Sequence, residues 1–192
     1  KEDKRELIAY KNRVLSLVNA LVLNKNQSAV AIPLIVALAD VNQNTDKEKM
    51  DPTVSSHLRA VLQKTSQKKD LLPAACATEN HAELMAAISR LLELSCSVSL
   101  GDPERRRALL KTNALCLNVL LHALQQAVVS DAEQIARSQA EVAELMAKPL
   151  ADFARKHARL NNAFFSVLFR TPLLFCGVIP SLQRVITGEG TG

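Results

Sequence analysis

The chain has no tryptophan, one tyrosine (Tyr10), five phenylalanines and five glycines in 192 residues. Strands draw on aromatic residues and are punctuated by glycine-bearing turns, so this scarcity argues against a sheet protein. Motifs for chemistry are missing as well. There is no C-x-x-C, no H-E-x-x-H, no G-x-x-x-x-G-K-[ST] and no G-x-S-x-G. The four histidines, His57, His81, His122 and His157, share no metal-ligand spacing. Cys116 and His122 are six apart, a spacing that keeps them off one helix face, so no local Cys–His nucleophile is encoded. Glu133, Glu141 and Glu144 are spread along a helix as on a solvated surface. The expectation is a non-enzymatic chain with no metal, no cofactor and no small-molecule substrate. A helical enzyme with a site assembled across helices, His122 or His157 beside a carboxylate in a polar pocket, stays open as an alternative.

Long uninterrupted apolar runs are also absent. The closest approach is AFFSVLFRTPLLFCGVI, Ala163 to Ile179, which carries Arg170 and Pro172 near its centre. It reads as a buried helix pair joined at Pro172, with no membrane partner, and it should dock on the helices before it or on a partner. Cys76, Cys96, Cys116 and Cys176 are widely separated and read as small buried thiols in a reducing compartment. No signal peptide is visible, and a first residue of Lys in place of Met reads as a segment of something longer.

What is present is leucine, alanine and helical periodicity. Apolar residues make up 48% of the chain, enough for a substantial core. Leu7, Val14, Leu17, Val18, Leu21 and Val22 recur at helical spacing and predict the buried stripe of a first helix. After the turn NKNQS, a second helix from about Ser28 to Val41 is apolar nearly all round, so it should be covered on more than one side; Pro33 belongs in its first turn or at a kink. Asp51-Pro52 and Gly101-Asp102-Pro103 are helix start signals. Thr78 is expected to open a fourth helix, and Ser130 with Glu133 has the spacing of a capping box for a long helix that Pro149 should kink or divide. Breaks are expected near Pro172 and Pro180.

The pattern therefore predicts an all-α fold of seven or eight helices over residues 1–187, with a flexible tail at 188–192. Successive helices too apolar to stand alone predict an irregular HEAT- or armadillo-like α-solenoid, with a closed helical bundle as the alternative.

The net charge of +5 suggests an acidic partner. Lys148, Arg155 and Arg159 share one helix face with Lys156 beside them. Arg105, Arg106 and Arg107 form a second basic cluster, and Lys64, Lys68 and Lys69 a third. Only one aromatic residue, Phe153, stands among them, so phosphate contact, without base stacking, is the chemistry these clusters suggest. The arginine triplet follows Glu104 in a first helical turn, a poor place for cations unless something anionic compensates.

Two segments carry a family resemblance. Tyr10-Lys11-Asn12-Arg13-Val14-Leu15-Ser16-Leu17-Val18 followed by Ile32-Pro33-Leu34-Ile35-Val36-Ala37-Leu38 resembles, in type and order, the region after the acidic tract in the DNA polymerase phi family, the Myb-binding protein and its fungal nucleolar relatives. Leu58-Arg59-Ala60-Val61-Leu62-Gln63-Lys64 is placed like that family's next helix and its basic exit. Ser16 departs from the usual acidic residue, and the likeness covers about the first third of the chain. The resemblance implies a nuclear, chiefly nucleolar scaffold of HEAT-like repeats that supports ribosomal RNA production and large-subunit assembly, with pre-ribosomal proteins and rRNA as partners and a role in transcription regulation in animals. A helical protein-interaction module, a co-regulator or trafficking scaffold with no nucleic-acid role, is the second reading.

Overall fold

A computed structural model describes residues 2–23, 28–45, 50–68, 71–97, 102–154 and 162–187. Every element among them is helical and none is a strand. The helices are α1 (Glu2–Leu23), α2 (Ser28–Asn44), α3 (Pro52–Gln67), α4 (Ala74–Glu79), α5 (His81–Cys96), α6 (Pro103–Val128), α7 (Ala132–Ala154), α8 (Asn162–Arg170) and α9 (Pro172–Thr187).

The all-α expectation holds, and the count of seven or eight becomes nine among the described residues. The extra element is α4, a short helix ahead of α5, so Thr78 lies inside α4 and the longer helix opens at His81. The two strong start signals act as expected. Asp51 accepts the Thr53 amide at 2.9 Å and the Thr53 hydroxyl at 2.6 Å, with Pro52 opening α3. Asp102 accepts the Glu104 amide at 3.0 Å ahead of Pro103. Both caps satisfy amides that have no partner inside the helix.

Other local expectations are corrected. Asp131, not Ser130, caps α7: its carboxylate accepts the Glu133 and Gln134 amides, and the Gln134 side chain donates back to it at 2.9 Å. Pro149 does not divide α7, which runs on to Ala154, and Pro33 lies in the second turn of an unbroken α2. Each proline removes one backbone bond, a loss that packing on neighbouring helices offsets. Pro172 does separate α8 from α9, whereas Pro180 is carried within α9.

Helix α1 packs on α3, α3 on α6 and α6 on α8, while α2 packs on α5, α5 on α7 and α7 on α9. Helix α6 also touches α2, α4, α5, α7 and α9, so it lies against every other described helix except α1. Its Leu117, Leu120, Leu121 and Leu124 are fully buried with Leu58 and Leu62 of α3, Leu84, Ile88 and Leu91 of α5, and Ile32 and Ile35 of α2. The wide apolar faces of α2 and α6 thus mark helices covered on several sides. The last helices dock as expected, burying Val167 and Leu168 of α8 and Leu174 and Val178 of α9.

The stripe expected of α1 is the main packing correction. Leu15 and Val22 are its buried side chains, while Leu7, Val14 and Leu17 are exposed. Helix α1 has neighbours only in α2 and α3 among the described elements, so the face opposite α3 has nothing to pack against.

Candidate nucleic-acid interface

The arginine triplet occupies the first turn of α6, where the positive end of the helix dipole disfavours cations. Its surroundings supply the compensation. Arg105 donates through Nη2 to the Thr45 hydroxyl at 2.6 Å, just past the end of α2. The Thr45 hydroxyl in turn donates to the Asn42 carbonyl at 3.0 Å. Arg105 therefore lies at the carboxyl end of α2, whose unpaired carbonyls favour a cation.

Arg59 of α3 reaches the same place because α3 packs on α6. Arg59 and Arg105 line one shallow cleft of about 30 Å³ with Asn42, Thr45, Ala108 and Thr112. Two arginines from different helices thus line one cleft, beside the Thr45 and Thr112 hydroxyls, which donate to the Asn42 and Ala108 carbonyls. Arg106 is half-buried and Arg107 is exposed on the next positions of the same turn. Arg59 is absent from the clusters read along the chain. It stands alone between apolar residues, and only the α3–α6 contact brings it to Arg105.

The remaining expected residues divide. Lys64 is exposed in the last turn of α3. Lys68 donates to the Val22 carbonyl at 3.4 Å, so it works at the carboxyl end of α1 and is committed within the fold. Lys148 lies in α7, but its side chain is outside the described residues, as are Lys69, Arg155, Lys156 and Arg159. The side chains of the face expected to carry Lys148, Arg155 and Arg159, with Lys156 beside them, thus all lie outside the described residues.

Arg90 shows what a structural arginine looks like in this chain. It holds Asp40 of α2 through Nη2 at 2.9 and 3.2 Å and Glu93 through Nη1 at 3.2 Å. The hydrogen bond to Glu93, with Asp40 opposite, raises its already high pKa. Arg90 ties α5 to α2 and leaves no fork for a phosphate.

A histidine–carboxylate pair does exist, between neither of the expected histidines. His81 Nε2 lies 2.7 Å from Glu141 Oε2, joining the start of α5 to α7. Beside it is a cleft of about 240 Å³ lined by Thr78, His81, Gln134, Arg137 and Ser138. His122 is half-buried on α6, and His157 is outside the described residues. Among the described residues there is no group of His, Cys, Asp or Glu that could hold a metal ion, and no helix long and apolar enough to cross a membrane.

No disulfide joins any of the four cysteines. Cys76 and Cys116 are buried, Cys96 is half-buried and Cys176 is exposed, which corrects the expectation of four buried thiols. Burial pushes the Cys116 thiol up to about 12, since its thiolate has no solvation there.

Compared with family models, curated proteins and solved structures, the chain matches none.

Proposed function

We propose that this chain is a non-enzymatic α-solenoid scaffold of the HEAT or armadillo kind. It acts in the nucleolus on large-subunit assembly and rRNA production, holding pre-ribosomal proteins and the phosphate backbone of rRNA. The successive contacts α1–α3–α6–α8 and α2–α5–α7–α9 support a solenoid, whereas the contact of α6 with every other described helix except α1 favours the alternative of a closed bundle. The resemblance of residues 10–38 and 58–64 to the polymerase phi family supports the cellular setting. The observation that carries the phosphate reading is the convergence of Arg59 and Arg105 on one cleft from helices far apart in sequence. Such contacts position a scaffold on structured RNA without reading its bases.

Binding to structured RNA over a range of salt tests this. Arg59→Glu with Arg107→Glu, and separately Lys148, Arg155, Lys156 and Arg159 all to Glu, should weaken binding with little dependence on RNA sequence. Each lost contact should flatten the salt dependence by roughly one unit of slope. Unchanged affinity in both folded variants, with co-sedimentation on large-subunit precursors intact, would discard the phosphate reading.

The second reading is a protein-interaction module without nucleic-acid binding. The exposed apolar row on α1 favours it, and partner binding insensitive to salt would distinguish it.

A further inference from the structure

Helix α1 carries two apolar rows. Leu15 and Val22 face the core. Leu7, Tyr10, Val14, Leu17 and Leu21 form the other, roughly 110° away around the helix. The spacing of this second row is three, four, three, four, which is the a/d pattern of a coiled-coil seam. Leu7 is 53%, Tyr10 61% and Leu17 70% exposed. A cleft of about 380 Å³ opens beside the row, lined by Tyr10, Lys11, Val14 and Val18 with Val41 and Met50 across from them. An isolated leucine on a surface needs no explanation, but an aligned row of large apolar side chains above an apolar cleft does.

The charges flanking the row identify an occupant. With Leu7 at a, Glu6 stands at the preceding g position and Lys11 at e. Neither is ion-paired within the chain among the described residues. When two such helices lie parallel, g of one meets e of the other five residues on, which sets Glu6 against Lys11 on both sides of the seam. Antiparallel pairing would set e against e, where Lys4, Lys11 and Val18 supply no acid. We propose that α1 is a self-association element, pairing in parallel with α1 of a second copy so that the two exposed rows cover each other. The contact is isologous, so one patch serves both subunits. A seam of about two heptads is short, and the dimer should be weak, with a dissociation constant on the order of 1–100 μM. This inference is independent of the phosphate reading.

Sedimentation velocity of the purified chain from low to high micromolar concentration should show a monomer–dimer equilibrium. Tyr10→Asp with Leu17→Asp should abolish the dimer while leaving the far-ultraviolet circular dichroism unchanged, because both side chains are mostly in water. Should that variant lose structure, two exchanges at the flanks decide the matter. Glu6→Lys should weaken association about ten-fold, and adding Lys11→Glu should restore it. Leu17→Cys in a Cys176→Ser background should oxidise to a covalent dimer. A chain that stays monomeric throughout, or a dimer indifferent to the flank exchanges, would overturn the proposal. A dimer without the Leu17→Cys cross-link would overturn the parallel arrangement.

Discussion

Gly177 of α9 lies so close to Gln139 of α7 that a β-carbon on it would stand 2.5 Å from the Gln139 carbonyl oxygen and 2.8 Å from its β-carbon. The close approach is held from both sides. Gln139 Nε2 donates to the Leu173 carbonyl at 2.7 Å, and the Leu173 amide donates to Gln125 Oε1 of α6 at 3.2 Å. The obstacle is mainly backbone, which cannot step aside as a flexible side chain would. Gly177→Ala should therefore push α9 off α7 and cost about 1–3 kcal/mol, even though alanine is the better helix former. Urea unfolding checks this: a midpoint equal to or above that of the parent chain would mean the two helices can separate at no cost.

Asn113 is fully buried in α6, and neither its Nδ2 nor its Oδ1 has a hydrogen-bond partner among the described residues. A buried amide without partners forfeits its hydration and gains nothing in return. Asn113→Leu, with the same branching and no polar atom to desolvate, should raise stability by about 1 kcal/mol, whereas most core substitutions lower it. A thermal midpoint that falls would show that the amide has an essential partner.

Asp51 gives α3 a pH-dependent start. Its pKa is lowered from the ordinary 3.8, first by the hydrogen bond from the Thr53 hydroxyl and then by the Thr53 amide, with Lys4 adding a smaller attraction. A carboxylate whose folded pKa lies below its unfolded value stabilises the fold above the unfolded value. That contribution is lost as pH falls through the folded pKa. Asp51→Asn should thus lower stability near neutral pH, and the gap from the parent should close below about pH 4. Denaturation of both proteins from neutral to acid pH measures it, and a gap that stays constant would remove the carboxylate from the account.

The places where sequence and structure agree are local. Asp51-Pro52 and Asp102-Pro103 start helices because an acceptor side chain and a fixed φ act within two residues of themselves. The α7 cap misses by one position, since Ser130 and Asp131 are both good caps and only the reach of Gln134 back to Asp131 separates them. The buried face of α1 was not legible in the same way. Two apolar rows share that helix, and periodicity favours the longer one, whereas the α1–α3 contact buries Leu15 and Val22. Arg59 and Arg105 are a pair only because α3 and α6 are neighbours, which no window of sequence contains. The compensation for the cations at the start of α6 came likewise from elsewhere, at the end of α2.

The thiols offer the sharpest contrast in environment. Cys116 is completely enclosed in α6 with its pKa pushed up to about 12, while Cys176 is exposed on α9. Only the thiolate is a nucleophile, and it must also be reached by the reagent, so both terms act against Cys116. Alkylation at neutral pH followed by peptide mass mapping should label Cys176 first, then the half-buried Cys96. Cys116 should stay unlabelled until the chain unfolds, and its labelling rate should rise in step with the unfolded fraction in denaturant. Rapid modification of Cys116 under native conditions would mean that α6 is not enclosed by the helices packed on it.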